Sequence, residues 1–277
     1  MSVAFELPIK KDTAPAKIHL SGVSREYRTA GAPFFALQSI DLEVSPKEFL
    51  CVVGPSGCGK STLLHLIAGL DQPSSGEIWL DGHPISRPGP DRLLILQELG
   101  LFPWLTAREN VEFGLKLKGY SKRQRSELAR HYLQLVNLSY FEHSYPHQLS
   151  GGMKQRVALA RALVMKPDVL LMDEPFAALD AQTRDRLHDE LERIWTETGQ
   201  TIIFVTHNVR EAVRLGDRVV VMSYRPGRIK CEFRFALDRP RHLENVVVAR
   251  AARQIHNCLL EEIDKSARAE YHDEIGD

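Results

Sequence analysis

The sequence predicts an α/β fold with a mainly parallel core sheet, and three observations support this prediction. Short apolar runs that are typical of buried strands recur along the chain, for example at Glu48–Val53, Val169–Met172 and Thr201–Thr206. Stretches with helical spacing of apolar residues lie between these runs, which is the pattern of a parallel sheet covered by helices. The 277 residues contain no internal repeat, so we expect one such unit and not two fused copies.

The amino-acid composition narrows the class of protein to which this chain can belong. Lys plus Arg and Asp plus Glu both number 36, and this zero net charge disfavours a generally basic nucleic-acid-binding protein but leaves a local basic patch open. The four cysteines form no C-x-x-C pair, so we expect reduced thiols and neither a disulfide framework nor a zinc site. No run approaches the roughly 18 apolar residues of a membrane span. The amino terminus also lacks the order of a secretory signal.

The elements follow in order from the amino terminus. Residues 1–15 are polar and contain prolines, which favours a flexible lead-in. Two β-like runs follow, and then Glu48–Val53 leads directly into a glycine loop and a helix. Further strands are predicted at Gly76–Gly82, Leu93–Gln97 and Arg218–Met222, and helices over 107–143 with a break near Gly119, over Met153–Met165 and over 244–265.

The glycine loop matches the pattern G-x-x-x-x-G-K-[ST] between a strand and a helix, which is the context of a phosphate-binding P-loop. Glycines allow backbone N–H groups to converge on phosphate oxygens, and the helix amino terminus adds a positive dipole. Lys60 would reach the β- and γ-phosphates, Ser61 would bind Mg²⁺, and Thr62 would contact the α-phosphate region. The predicted nucleotide-binding residues of the loop are Gly54, Pro55, Ser56, Gly57, Cys58, Gly59, Lys60, Ser61 and Thr62.

An acidic pair ends the apolar run Val169–Met172. Asp173 is placed where a carboxylate can hold Mg²⁺, and Glu174 is the candidate general base for an attacking water. The alternative is an ordinary strand-ending turn, since Pro175 follows.

A second phosphate-binding helix terminus is predicted at Leu149–Arg156, which reads LSGGMKQR. Ser150 can cap the helix, and the glycines Gly151 and Gly152 allow a phosphate to approach closely. Without other motifs, the same residues would also fit a plain capped helix.

Taken together, the P-loop, the LSGGMKQR peptide and the Asp173–Glu174 pair resemble the ATP-binding cassette (ABC) family, over about residues 17–235. The resemblance implies ATP and Mg²⁺ as ligands and ATP hydrolysis as the activity. It also implies a P-loop NTPase domain over 16–239, with an antiparallel β subdomain, a helical signature subdomain at about 98–165, and a helical extension over 240–277.

The resemblance further implies a head-to-tail dimer of two copies of the chain. Ser150 and Gly152 of one copy would contact the γ-phosphate of the ATP held by the other copy, with Gly151 between them. Asp180, in the run Ala178–Asp180, fits the loop that crosses this dimer interface.

Three single residues fit further family positions. Gln97 follows a predicted strand and would sense Mg²⁺ and the attacking water, while His207 would contact the γ-phosphate. Tyr27 fits the aromatic residue that stacks on adenine, although Phe34 or Phe35 could also present a ring. Taken alone, each of these residues would more often be structural.

Shorter runs resemble the ATPases of nitrate, sulfonate and taurine importers, namely Leu101–Thr106, Tyr145–Gln148, Arg225–Ile229 and Asp238–Arg241. This resemblance implies a peripheral subunit on the cytoplasmic face of the inner membrane that energises uptake of a small oxyanion. Its partners would be an integral permease, contacted by Phe102 and Trp104, and indirectly a periplasmic or lipid-anchored binding protein. The alternatives are another ABC transport system or a soluble ABC ATPase without a transport role, and for Phe102 and Trp104 a purely structural role within the helical subdomain.

Overall fold

The computed structural model describes residues 15–28, 33–235, 237–241 and 245–275. The chain forms two compact units, the first from Met1–Pro88 with Thr201–Asp277 and the second from Gly89–Gln200. The predicted helical subdomain at about 98–165 falls inside the second unit. The predicted lead-in over 1–15 lies outside the described residues, apart from its last residue.

Strands and helices alternate over residues 169–222, as the sequence predicts. The strands are β1 Ile18–Tyr27, β2 Phe34–Val44, β3 Phe49–Val53, β4 Ser75–Leu80, β5 His83–Pro84, β6 Arg92–Ile95, β7 Val169–Asp173, β8 Thr201–Thr206, β9 Arg218–Met222 and β10 Ile229–Arg234. The helices are α1 Lys60–Ala68, α2 Ala107–Leu117, α3 Lys122–Leu135, α4 Gly151–Leu163, α5 Ala181–Thr198, α6 Val209–Leu215 and α7 Val246–Ile275. Short 3₁₀ turns occur at Ser139–Phe141 and Pro146–Gln148.

An antiparallel sheet in the order β2-β1-β4-β5 forms part of the first unit. Burial alternates along β2, which is the pattern of a sheet with one face packed on a core. Strands β4 and β5 are joined by a two-residue turn in which Asp81 and Gly82 have φ angles of 49° and 75°. Two successive positive φ angles are typical of the tight hairpin turn that Asp-Gly sequences favour. The predicted antiparallel β subdomain is confirmed.

Strand β3 lies at the centre of the parallel part of the first unit. It pairs in parallel with β8 on one side and with β9 on the other, and β10 pairs antiparallel with β9. Every residue of β3, β8 and β9 is buried, and apart from Arg218 and the two terminal threonines of β8 these residues are apolar, as expected for strands covered on both faces. The carboxyl end of β3 leads directly into the glycine loop, so the loop follows a fully buried strand.

A buried arginine ties the strands of this unit together. Arg218 on β9 is 3% exposed, and its guanidinium donates to Glu48 at 2.7 Å and to Glu232 at 2.9 Å. It also donates to the backbone oxygen of Glu43 on β2. Burial disfavours the charge, but the carboxylates of Glu48 and Glu232 outweigh this effect and raise the pKa of Arg218.

The second unit combines two parallel strands with four helices. Strand β6 pairs in parallel with β7, and helices α2, α3 and α4 pack on one another. Capping boxes begin two of these helices, with Thr106 and Glu109 at α2 and with Ser121 and Gln124 at α3. The predicted break near Gly119 is therefore a helix end followed by a new capped start.

Helix α7 is the last element of the first unit. It spans Val246–Ile275, whereas the predicted helix covers 244–265, so it extends ten residues further toward the carboxyl terminus. Within the described residues, α7 packs on α6, β9 and β10. In the part of the chain that the structure describes, no helix is long and apolar enough to cross a membrane.

A disulfide joins Cys231 on β10 to Cys258 on α7. The expectation of four reduced thiols is therefore wrong for this pair, whereas Cys51 and Cys58 are buried and are not part of this disulfide. The two bonded residues are 27 positions apart, so the sequence alone carries no spacing signal for the pairing. The bond depends on the packing of α7 against β10.

A buried carboxylate fastens the same helix. Glu262 on α7 is 1% exposed, accepts a hydrogen bond from the Tyr224 N–H at 2.8 Å, and contacts Lys230 at 2.9 Å and Lys265 at 2.7 Å. Burial opposes its ionisation, but the hydrogen bonds from Lys265, Lys230 and Tyr224 lower the pKa of Glu262 to about 2. The charge of Glu262 therefore stabilises the attachment of α7 to the β9–β10 region.

This attachment predicts a pH-dependent stability difference between the wild-type chain and Glu262→Gln. The carboxylate stabilises the folded chain fully above its ordinary pKa of 4.5, and this contribution is lost as the pH falls toward about 2. Glutamine retains a hydrogen-bond acceptor but does not ionise. In urea unfolding, the wild-type advantage in free energy should be constant above about pH 5 and shrink below it.

The neighbouring substitution Glu261→Gln is the matched control. Glu261 also contacts Lys230, at 2.8 Å, but its side chain is 75% exposed. Solvent screens such a pair, so its stability difference should be small at every pH. Equal pH profiles for the two variants would contradict the role of Glu262.

Candidate functional site

The glycine loop occupies the segment between β3 and α1, as predicted. Gly57 and Gly59 have φ angles of 71° and 98°, which L side chains rarely adopt. Gly59 is the N-cap of α1 and provides no side-chain cap, so the backbone N–H groups at the start of this helix point to a potential ligand. This arrangement of turn and open helix terminus is suited to binding phosphate groups.

Close backbone packing requires glycine at position 59. A β-carbon there would lie 2.7 Å from the carbonyl oxygen of Ala36 and 2.7 Å from the Leu37 side chain, both on β2. Gly54 is constrained in a similar way, because a β-carbon would lie 2.6 Å from the Cys58 sulfur. The buried Cys58 therefore fills space inside the loop, and the glycines serve both packing and conformation.

Lys60 lies at the first position of α1 and is 6% exposed. Its ammonium group donates to the carbonyl oxygens of Gly54 at 2.9 Å and of Pro55 at 3.0 Å. The charge is therefore held on the loop itself, within reach of a phosphate chain bound there. The hydroxyl residues Ser61 and Thr62 follow on the first turn of the helix and are exposed and partly buried, respectively.

Aromatic residues lie on the antiparallel sheet of the first unit. The Tyr27 hydroxyl donates to Asp71 at 3.0 Å, and the Arg25 guanidinium lies 4.7 Å from the Tyr27 ring centroid. The Phe34 ring is 5.8 Å from Tyr27 and is 41% exposed, and Phe35 is 40% exposed. The structure thus fixes Tyr27 in place, and the adjacent Phe34 remains a second candidate for an adenine platform.

His207 follows β8 directly and is exposed. Since Val53 of β3 pairs with Thr206 of β8 in parallel register, the glycine loop and His207 leave the sheet at the same edge. The Thr206 hydroxyl donates to Glu211 and accepts from the Asn208 N–H at 3.0 Å. These contacts fix the backbone on both sides of His207, and the ends of parallel strands are a common position for ligand sites.

In the second unit, β7 ends at Asp173, which is 8% exposed. The next residue, Glu174, has a φ angle of 43°, which is uncommon for a residue with a side chain. Such strained conformations concentrate at functional sites. Ile95 of β6 pairs with Met172 of β7, so the exposed Gln97 leaves the same edge as Asp173.

The LSGGMKQR peptide begins α4. The Ser150 hydroxyl oxygen accepts a hydrogen bond from the Met153 N–H at 3.3 Å and so caps the helix. Gly151 is exposed, while Gly152 is buried, and a β-carbon at Gly152 would lie 2.5 Å from the Thr183 methyl group on α5. Gly152 thus also has a packing role that the sequence pattern did not indicate.

Asp180 caps the next helix, α5, by accepting a hydrogen bond from the Thr183 N–H at 2.9 Å. This bond lowers the pKa of Asp180. Asp180 is exposed, so its residue type is explained locally by capping, and its predicted place in a dimer interface remains a prediction.

Two residues that the sequence analysis missed organise the segment after Gln97. Asn110 is fully buried, accepts from the Phe102 N–H at 2.8 Å, and donates to the carbonyl oxygen of Leu105 at 3.0 Å. Arg161 donates to the carbonyl oxygens of Leu99 at 2.6 Å and Gly100 at 2.7 Å. Asn110 lies one turn into α2, and a polar residue on the apolar face of that helix is the signal that could have identified it.

The same contacts present Trp104 to solvent. The Phe102 ring packs on Phe113 at 4.5 Å and lies 5.6 Å from Trp104, whose side chain is 70% exposed. Of the two alternatives for this pair, Phe102 fits internal packing and Trp104 fits an external contact.

The predicted site residues divide between the two units. The P-loop, Tyr27 and His207 belong to the first unit, and the second unit contains Gln97, Ser150, Gly151, Gly152, Asp173, Glu174 and Asp180. The cradle of glycine N–H groups and the buried Lys60 fit a triphosphate. The hydroxyl, amide and carboxylate oxygens of Ser61, Gln97 and Asp173 are the ligand types that Mg²⁺ prefers. The fold and the glycine loop thus define a P-loop nucleotide-binding protein.

Comparisons with known proteins agree with this class. The family model described as ABC transporter matches residues 37–177. The nitrate import ATP-binding protein of Synechococcus elongatus is 46% identical over 233 residues, which cover 83% of this chain and 85% of that protein. The taurine import ATP-binding protein of Roseobacter denitrificans is 49% identical over 199 residues, which cover 72% of this chain and 74% of that protein.

A solved structure is also similar. A dimeric ATP-binding cassette in a post-hydrolysis state, bound to ADP and Pi, matches with a TM-score of 0.72 at 33% identity, covering 80% of this chain and 100% of that chain. The chain belongs to the ABC transporter family of ATP-binding proteins. The predicted family, cassette fold and ATPase class are confirmed.

The packing of Gly152 predicts the effect of adding a single methyl group. Gly152→Ala should lower the free energy of unfolding by about 1–3 kcal/mol, because its β-carbon meets the Thr183 methyl group at 2.5 Å. Adding Thr183→Ser removes that methyl group and should restore most of the loss. Chemical unfolding of the single and double variants measures both effects.

Gly151→Ala provides the control at the adjacent position. The nearest atom to its β-carbon is a Leu179 methyl at 3.4 Å, which is ordinary contact. This variant should be as stable as the wild type or slightly more stable, because alanine favours helix. If Gly152→Ala behaves in the same way, the packing constraint is wrong.

Proposed function

We propose that this chain is the ATP-hydrolysing subunit of an importer for a small oxyanion, such as a sulfonate, taurine or nitrate. The observation that carries the proposal is the glycine loop, in which Lys60 donates to the carbonyl oxygens of Gly54 and Pro55, in a chain of the ABC transporter family. Relatives named as nitrate and taurine import proteins support the class of substrate.

ATP would bind through the glycine loop, residues Gly54–Thr62, with its base against Tyr27. Ser61, Gln97 and Asp173 are the proposed residues for Mg²⁺, which would neutralise phosphate charge when bound. Glu174 would orient and deprotonate the attacking water, and His207 would hold the γ-phosphate. Catalysis of this type depends mainly on positioning and on charge stabilisation.

Two copies of the chain would act together as a head-to-tail dimer. Ser150, Gly151 and Gly152 at the start of α4 would complete the ATP site of the partner, and Asp180 would lie in the interface. The exposed Gly151 at the start of α4 supports this proposal, as does the dimeric form of the related cassette.

A separate permease would receive the motion of this dimer at the cytoplasmic face of the membrane. Trp104 is the proposed anchor, because its ring is 70% exposed on a segment that Asn110 holds in place. Exposed aromatic side chains on rigid supports are typical centres of protein interfaces. A periplasmic or lipid-anchored binding protein would deliver the oxyanion to the permease.

The role of Glu174 predicts the behaviour of Glu174→Gln. Loss of the general base should lower kcat for ATP hydrolysis by about 10² to 10⁴, while ATP binding is retained. The unhydrolysed ATP should then hold two copies together, which light scattering with and without ATP would detect. Lys60→Ala is the contrasting variant, since it should lose ATP binding and therefore dimer formation. A Glu174→Gln chain that hydrolyses ATP at the wild-type rate would refute the assignment.

The anchor role predicts that Trp104→Ala weakens assembly with the permease. An interface centre is worth about 2 kcal/mol or more, so affinity should fall about 30-fold, while ATP hydrolysis by the isolated subunit should be unchanged. Copurification with a coexpressed permease of this importer class, and uptake of labelled taurine or nitrate, measure the effect. Tyr140→Ala removes another aromatic ring, 99% exposed, and serves as the control. Normal assembly and uptake with Trp104→Ala would exclude the anchor role.

A further inference from the structure

The loop between β9 and β10 brings an arginine to the glycine loop. Nε of Arg225 lies 3.4 Å from the carbonyl oxygen of Gly57, and a β-carbon on Gly57 would lie 3.3 Å from the Arg225 guanidinium. The two residues are 168 positions apart in the chain. Only the fold of the first unit therefore brings them together.

The loop that carries Arg225 is held at several points. The Ser223 N–H donates to the Arg228 carbonyl oxygen at 2.9 Å, and the Ser223 hydroxyl donates to that of Pro226 at 2.9 Å. Gly227 bridges to β2, since its N–H donates to Ala36 at 3.0 Å. These hydrogen bonds hold the loop backbone that carries Arg225 beside the glycine loop.

The surroundings of Arg225 leave its charge available to a ligand. Its guanidinium lies 6.0 Å from the Phe34 ring and 5.6 Å from the Tyr224 ring. Among the described residues, no carboxylate lies within salt-bridge distance of Arg225, and its side chain is exposed. An arginine that is fixed in place, lacks a counter-charge and lies beside a phosphate-binding loop fits an anionic ligand.

We propose that Arg225 binds the phosphate chain of the nucleotide and that helix α7 positions it there. This inference rests on the nucleotide site proposed above and adds a residue outside the P-loop to it. Guanidinium groups form charge-assisted hydrogen bonds with phosphate oxygens, and Arg225 is within side-chain reach of a phosphate held at Gly57. We expect Arg225 to contribute to nucleotide affinity and not to kcat, because its positive charge would lie beside the phosphates in both the ground state and the transition state.

The positioning part of the proposal follows from Glu262. Its carboxylate accepts a hydrogen bond from the N–H of Tyr224, the residue directly before Arg225, at 2.8 Å. Lys230 at 2.9 Å and Lys265 at 2.7 Å hold the same carboxylate from the side of β10 and α7. A change in the attachment of α7 would therefore move the backbone that carries Arg225.

Arg225→Ala and Arg225→Lys test the contact. Equilibrium binding of ATP and of ADP, with EDTA present to prevent hydrolysis, should weaken about tenfold for the alanine variant, the loss expected for one charge-assisted hydrogen bond. Lysine should restore part of the affinity. In steady-state hydrolysis, KM should rise while kcat changes little, and the effect should shrink at high salt.

Two further variants make the outcomes distinguishable. Arg228→Ala removes the same charge from the same loop, but Arg228 donates to Gln38, so ATP affinity should change less than about twofold. Lys60→Ala should abolish binding. If Arg225→Ala binds ATP normally while Lys60→Ala does not, the Arg225 contact is wrong and the proposed site stands. If neither variant weakens binding, the proposed site is wrong as well.

A double-mutant cycle tests the positioning by Glu262. Glu262→Ala should weaken ATP binding about threefold when Arg225 is present and should have no further effect in the Arg225→Ala chain. Glu261→Ala, which removes the adjacent and exposed carboxylate, should leave affinity unchanged. Additive effects of Glu262→Ala and Arg225→Ala would overturn the positioning role, because a purely structural defect does not depend on Arg225.

Discussion

The first unit depends on a point where three backbone segments pack directly on one another, with the Leu37 side chain beside them. Gly59 of the glycine loop lies against Ala36 on β2, and Gly227 of the β9–β10 loop lies against both Ala36 and Cys58. A β-carbon at Gly227 would lie 2.2 Å from the carbonyl oxygen of Cys58, and one at Gly59 would lie 2.7 Å from that of Ala36. Since these contacts involve backbone atoms, they cannot relax by a change of rotamer.

This contact joins the parts of the unit that carry different chemistry. Strand β2 belongs to the antiparallel sheet with the aromatic residues, the glycine loop provides the phosphate cradle, and the third segment carries Arg225. Hydrogen bonds of Gly227 with Ala36 and Gln38 fix the spacing among them. The candidate adenine platform, the glycine loop and Arg225 are therefore positioned by one packed junction and not by long side chains.

In the second unit, polar side chains and not glycines hold an irregular backbone segment in place. Asn110 and Arg161 satisfy backbone carbonyl groups of the segment after Gln97, which forms no regular helix or strand over Leu99–Leu105. Burial of Arg161 lowers its pKa, and this cost is offset by its two short hydrogen bonds. The result is an irregular segment that is nevertheless fixed, which a site with defined geometry requires.

The sequence by itself determined the family of this protein, because the P-loop, the LSGGMKQR peptide and the Asp173–Glu174 pair are each short, contiguous motifs. It also determined which segments form buried parallel strands, since short apolar runs mark such strands. Only the tertiary structure decided the pairing of Cys231 with Cys258, the hold of Glu262 on Tyr224, and the approach of Arg225 to Gly57. These contacts join residues 27, 38 and 168 positions apart, and no local pattern encodes them because each depends on how distant elements pack.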